Sequence, residues 1–504
     1  MTSPLLWTLL CLQIAMGAFD MLFHHEFTER LAWRATAARE LALHAVRNAF
    51  YALIFIVLAW TEPRGALALV LLAVLLAEVV ITLWDFVEED ISRRLPATER
   101  VLHTLLALNY GAILALFLPE LIGWSRMPLA LPSVSHGTGS LLLTGAAAGV
   151  GLFAVRDWLA SRRAGRFTTE PAAPLVAALV GRRRVLVTGA TGFVGERLVA
   201  ALVAAGHDVV ALVRSPAKAS SLSTPITLVD DLSHIPADTR IDAIVNLAGA
   251  PVADWPWTRT NSFRILHSRI KTARRLRALI ARLEHRPSVF IQASAIGWYG
   301  ARGETAATET AEPGAGFAAR VCRAVETEAL RAAGPGVRVV NLRIGLVIDR
   351  AGGVLVRMLP AFDLCVGGPI GHGRQWMSWI GRDDLVRLIA TAIADARFEG
   401  AVNATAPEPV TGKAFAHALG RALGRPVLFA VPAPLLRFAG GQMADEMLLS
   451  GQRVLPAMAL AAGFVFRHAT LDAALTATLG AAAAQSAGRI AVGRVEPDAV
   501  AHRK

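Results

Sequence analysis

Residues 184–195 read RVLVTGATGFVG, and their spacing carries specific chemistry. Gly189, Gly192 and Gly195 follow the β-branched run Val185–Thr188 and precede apolar residues at helical spacing, Leu198, Val199, Leu202 and Val203. The pattern predicts a strand, a tight turn and a helix start. The first glycine permits the turn. The second lets the backbone approach a pyrophosphate, and the third lets the helix pack on the strand. Free N–H groups at the helix start then face the phosphates. Gly189, Thr191, Gly192, Phe193, Val194 and Gly195 are therefore the expected cradle of a dinucleotide.

Other polar residues sit where further strands end. Asp208–Val213 runs into Arg214. A site for NAD(H) places an acid near that point to hold the ribose hydroxyls, whereas a 2′-phosphate suits an arginine, so NADP(H) is favoured over NAD(H). Ile226–Val229 ends in Asp230 and Asp231, and Ile241–Val245 runs into Asn246, Leu247, Ala248 and Gly249. Val289–Gln292 leads to Ala293 and Ser294, and Val337–Val340 leads to Asn341, Leu342 and Arg343. Helical stretches at 259–284 and 316–333 alternate with these strands. Such alternation predicts an α/β fold, a doubly wound parallel sheet of the Rossmann type. Ligands of such sheets bind beyond the carboxyl ends of the strands, so these residues should share one cleft.

GATGFVG, NLAG, ASAIGWYG, NLRIG and GGPIGHGRQWMSWIGRDDL, with NATAPEPVT and SGQRVLP further on, resemble the extended short-chain dehydrogenase/reductases. The closer resemblance is to their atypical nucleoside-diphosphate-sugar epimerase-like branch, over about residues 183–480. It implies a Rossmann core, bound NADP(H) or NAD(H), and a small C-terminal substrate lobe. It also implies a serine, matched by Ser294, and a Tyr-x-x-x-Lys pair on the next helix. Here the chain departs: Phe317 stands at the tyrosine position and Val321 at the lysine position. Neither moves a proton. Tyr299 is the alternative phenol, or else a packing residue in its turn. By the same resemblance, Arg343 approaches nicotinamide and substrate.

Residues 371–376 read GHGRQW, and Arg374, Gln375 and Trp376 offer a guanidinium, an amide and a stacking ring to an anionic or nucleotide-like substrate.

The first third of the chain is of another kind. Of all 504 residues, 54% are hydrophobic and 18% charged, too apolar for an ordinary soluble protein. The excess lies in segments 4–23, 48–61, 66–86, 101–122 and 138–155, which predict about five transmembrane helices. The second is short and can extend back through Leu41 and Ala45. The opening MTSPLLW lacks a positive n-region, so it reads as a span and not a cleaved signal peptide. Arg30, Arg34, Arg39 and Arg47 follow span one; Arg93, Arg94 and Arg100 follow span three; Arg156, Arg162, Arg163 and Arg166 follow span five. The alternate loops carry only Arg64 and Arg126. The positive-inside rule then places the N-terminus outside an inner (cytoplasmic) membrane and the nucleotide domain in the cytoplasm.

One end of these spans collects Asp20, His24, His25, Glu26, Glu40, His44, Asp85, Glu88, Glu89, Asp90, Glu99 and His103. Two readings stand. The acids pair with the arginines just named and hold no metal, or His24, His44, Glu89 and His103 contribute to a metal site.

Net charge is +12, yet the arginines are scattered and no basic stripe with interleaved aromatics is present, so nucleic acid is not an expected partner. Three cysteines without motif spacing suggest neither a disulfide framework nor a zinc site. The expected partners are lipid and a small-molecule substrate, while oligomeric state is not legible. The expected organisation is a transmembrane bundle at 1–160, a linker at 161–181, an NAD(P)-binding domain with its lobe at 182–480 and a disordered tail at 481–504. The expected function is a membrane-anchored epimerase or oxidoreductase on a small, nucleotide-sugar-like or other substrate. The alternative is a weakly catalytic NADP(H) sensor or scaffold.

Overall fold

A computed structural model of the 504-residue chain describes residues 3–480 except 94, 168, 169, 215, 255 and 335, with side chains of 216–218 also left aside. The expected tail at 481–504 lies outside the described residues.

Apolar sequence and length make five helices: α1 (Pro4–Phe19), α2 (Ala38–Trp60), α3 (Ala66–Ser92), α4 (Ala97–Ser125) and α5 (Thr138–Ala164). With its continuation, each is long and apolar enough to cross a membrane. Their outward faces carry exposed Leu69, Val80, Leu108 and Leu152, while Leu10, Phe55, Leu71 and Phe117 pack inside. Helix α1 continues through Asp20–Thr28 with π-type turns. Every helix but α1 starts earlier or ends later than the apolar segments suggest. Charged residues in several of these extensions pair across the bundle, as Arg47 does with Asp85 and Glu40 and Glu99 do with Arg93.

The second half is a seven-stranded parallel sheet. Its strands are β1 (Arg184–Thr188), β2 (Asp208–Leu212), β3 (Thr227–Val229), β4 (Ala243–Asn246), β5 (Val289–Ala295), β6 (Arg338–Ile344) and β7 (Gly400–Ala404). Across the sheet the order is β7-β6-β5-β4-β1-β2-β3. The order reverses between β1 and β4, where this class of sheet opens its ligand crevice. Helices α6 (Phe193–Ala204), α7 (Arg259–Arg282) and α8 (Phe317–Leu330) cover the faces. Strand β7 was not foreseen, because GAVNA lacks the β-branched run that marks the others.

The expected linker at 161–181 is not one. Helix α5 runs to Ala164, and Leu175 and Val176 are buried in the core beneath β1 and α6. Trp33, Leu41, Ala160, Ala164 and Phe167 share a core with Leu355, Phe362, Phe415 and Leu475 of the lobe. Arg163 lies 3.6 Å over the Trp33 ring and 3.4 Å from Asp363. The bundle is therefore docked on the lobe, and small residues at the end of α5 allow the close approach.

Candidate functional site

The glycine turn is built as its spacing demands. Gly189 has φ +69°, and a Cβ there would lie 2.7–2.9 Å from the Leu247–Ala248 backbone. A Cβ on Gly195 would lie 2.1 Å from the Gly189 carbonyl oxygen. Gly192 is the N-cap of α6, so the first N–H groups of that helix have no helical acceptor. Phe193 does more than supply backbone: its ring fills the space over Gly352 and Gly353, under Arg382. Behind the turn a buried polar chain ties three strand ends together. Thr188 Oγ1 donates to Asn246 Oδ1, which also accepts from the Ala248 N–H at 3.3 Å, and Asn246 Nδ2 donates to Gln292 Oε1 at 2.7 Å. This cradle of glycines, pinned by a satisfied network, fits a dinucleotide diphosphate.

Around it, Leu247 and Ala248 are half-buried and Gly249 is exposed. A Cβ on Gly249 would lie 2.8 Å from the Arg269 guanidinium carbon, so Arg269 of α7 stands beside this turn. Arg269 donates to the Ala250 carbonyl at 2.9 Å, and burial lowers its pKa. Arg214 is exposed just past β2. Asp230 and Asp231 follow β3, but the structure corrects the role of Asp231: its carboxylate caps a short turn through the Ser233 N–H at 2.8 Å and pairs with Arg275 at 2.5 Å. Asp230 pairs with the exposed His234 at 3.1 Å.

The chemical centre differs from expectation. Phe317 and Val321 are buried against Ile265 and Val325, with Trp257 edge-on to Phe317 at 4.7 Å, so the vacated acid–base positions are apolar packing. Ser294 is half-buried at the end of β5, and its Oγ donates to Glu326 Oε1 at 2.6 Å. Both Glu326 oxygens are held by Arg343, Nε at 3.0 Å and Nη2 at 2.9 Å. Arg343 also donates to Tyr299 Oη at 2.9 Å and lies 3.9 Å over the Trp298 ring. Tyr299 in turn donates to Asn403 Oδ1 at 2.6 Å.

Two expectations therefore need correction. Tyr299 is fully buried and both its bonds are internal, so it is no exposed proton donor. Burial pushes its phenol above the ordinary range, against the pull of Arg343. Arg343 is itself 4% exposed with its donors engaged, and it braces Glu326 instead of meeting a cofactor. Burial disfavours its charge, but the bonds to Glu326 outweigh that and raise its pKa.

The GHGRQW loop divides similarly. Gln375 is buried and donates to the Ile370 and Leu448 carbonyls at 2.9 and 3.0 Å, so it braces the loop and does not reach substrate. The Trp376 indole donates to Glu304 at 2.9 Å, beneath Arg453. Arg374 alone of the three is exposed.

Residues 185–404 match the NAD dependent epimerase/dehydratase family, and 431–478 match a domain of unknown function, DUF1731. Epimerase family protein MT2273 of Mycobacterium tuberculosis is 40% identical over 292 residues, 58% of this chain and 96% of that protein. The chain belongs to the NAD-dependent epimerase/dehydratase family. Its fold matches the crystal structure of human epimerase family protein SDR39U1 with NADPH at a TM-score of 0.55 and 31% identity, over 59% of this chain and 99% of that one. A nucleoside-diphosphate sugar epimerase from Corynebacterium glutamicum matches at a TM-score of 0.50 and 28% identity, covering 69% and 67% of the two chains. Family membership makes a nicotinamide dinucleotide the cofactor class, and the cradle described above fits it.

Glu326, Asn403 and Arg269 were missed from the sequence. One signal was present: an arginine closing the buried strand NLRIG must find an acid, and Glu326 is an acid on the amphipathic helix α8.

Proposed function

We propose that the chain is a membrane-anchored NADP(H)-dependent oxidoreductase of the epimerase family acting on a small hydroxyl- or carbonyl-bearing substrate. The observation that carries this reading is the Ser294–Glu326 hydrogen bond at the carboxyl ends of the central strands. The nicotinamide, when bound, accepts or delivers hydride. Ser294 Oγ positions the substrate oxygen. As a substrate hydroxyl is oxidised, its proton passes to Ser294 while the Ser294 proton moves to Glu326; reduction runs the reverse. Arg343 holds the carboxylate in place. Arg214 supplies charge for a 2′-phosphate, a choice supported by NADPH in the human relative's structure. The five apolar helices support anchoring in a membrane, the alternation of arginines between the loops is the basis for placing the N-terminus outside an inner membrane, and Arg374 is an exposed cation of the substrate loop.

A second reading has its own support. Phe317 and Val321 remove the usual proton-transfer pair, which suits an NADP(H)-sensing module with little turnover. The two separate in one experiment. Full-length protein in detergent is loaded with NADPH, and reduced-nicotinamide absorbance is followed as ketones, aldehydes and sugar nucleotides are added. Turnover that falls in Ser294→Ala supports the enzyme. Tight NADPH binding with no turnover on any of them supports the sensor.

A further inference from the structure

Where the bundle meets the lobe, the buried groups form more than an ion-pair network. Arg47 pairs with Asp85 at 2.6 Å, and Arg93 pairs with Glu40 at 2.9 Å and Glu99 at 2.6 Å. Among the described residues, Asp20 and Glu89 have only imidazoles within ion-pair distance: His24, His25 and His103 for Asp20, and His44 and His103 for Glu89. Two buried carboxylates among neutral imidazoles would leave costly uncompensated charge.

Four ligand atoms, one each from Asp20, His25, Glu99 and His103, lie within 4.8 Å of one another, and all four residues are buried. His25 Nε2 is 3.4 Å from Asp20 Oδ2 and 3.6 Å from Glu99 Oε1, and His103 Nε2 is 3.1 Å from Asp20 Oδ2. Metal–ligand bonds of about 2.1 Å put tetrahedral ligands about 3.4 Å apart, and these three separations bracket that value. His25 Nε2 is buried, aimed into this space, and has no hydrogen-bond partner among the described residues. Its 7% side-chain exposure makes that vacancy expensive without a ligand.

The surroundings are those of a built site. His103 Nδ1 faces Glu89 Oε2 at 3.2 Å, close enough for this carboxylate to orient the imidazole once it ligates. His24 Nδ1 lies 2.8 Å from Asp20 Oδ1, and Arg93 grips Glu99. The backbone is adapted too. In an α-helix, Asp20 and His25 would point about 140° apart. The π-type turns of Asp20–Thr28 bring residues five apart to one side. Asp20 and His103 also border an apolar cavity of about 400 Å³ between the helices, which gives access.

We propose that Asp20, His25, Glu99 and His103 bind one divalent first-row transition-metal ion at this end of the helical bundle. Two imidazoles with two carboxylates and no thiolate suit zinc, iron or manganese.

The test uses full-length protein in detergent, stripped with a chelator and titrated with Co²⁺. One equivalent should bind with the visible d–d bands of a four-coordinate ion. His25→Ala and His103→Ala should each lose the bands, and Glu89→Gln should weaken binding by roughly 10–100-fold. His285→Ala, at an exposed site, should bind as wild type does. Should the variants not fold, the wild-type melting temperature decides, rising with Co²⁺ and falling after chelation. No cobalt uptake by folded wild type, or bands unchanged in both His25→Ala and His103→Ala, overturns the assignment.

Discussion

Arg343 grips both oxygens of Glu326, and Ser294 shares one of them, so three side chains from β5, β6 and α8 form one buried unit. The arrangement puts a carboxylate behind the serine hydroxyl, in a region where the family's phenol–lysine pair is lost.

If Glu326 takes the proton through Ser294, both groups matter to the same step. Ser294→Ala and Glu326→Gln should each lower kcat by about 10²–10⁴-fold, the usual worth of positioned acid–base help. The double variant should be little worse than either single one, since the residues act in series. Tyr299→Phe should leave kcat within a few-fold, read by the same assay.

Arg343→Ala leaves Glu326 buried without its cation. Loss of one partner from a buried pair costs about 3–5 kcal/mol, so the melting temperature of the full-length protein in detergent should drop sharply. Arg343→Ala with Glu326→Gln should recover part of that loss. Thermal denaturation followed by circular dichroism reads both.

Gly195→Ala drives a methyl group into the Gly189 carbonyl, 2.1 Å from the new Cβ. The helix must back away from the turn. NADPH affinity, measured by fluorescence titration, should fall at least tenfold, with loss of stability alongside.

Arg214→Ala should weaken NADPH by about tenfold or more, the worth of a charge-assisted bond, and leave NADH nearly unchanged. Equal loss for both cofactors, or a wild-type preference for NADH, refutes the assignment.

Topology is checked with reporters. A phosphatase fused after Lys504 should be inactive and a tag before Thr2 accessible from outside. Both ends on one side would mean an even number of crossings.

The glycine turn was legible because it is local: spacing alone dictates strand, turn and helix start. The five apolar helices were legible because composition alone marks them. The centre of the site was not, because its logic is long-range. Arg343 lies 17 positions from Glu326 and 44 from Tyr299, and no period links them. Gln375 looked like a substrate ligand because an amide beside Arg374 and Trp376 suits recognition, yet one of its two carbonyl partners, Leu448, lies 73 positions away. The histidine cluster fell between these cases. Its residues were visible, but the π-type turns that aim Asp20 and His25 together were not, since nothing in DMLFHHEFT announces five-residue rings.

Helix α5 enters the lobe's core without a break, and Arg163 and Phe167 are clamped on both sides of that junction. Among the described residues, the nucleotide-binding half is therefore joined to the bundle by a packed core. If the five helices sit in a bilayer, as proposed, the crevice is carried at one height and heading like a mounted instrument. On that reading any shift among the helices is passed to the lobe as a tilt.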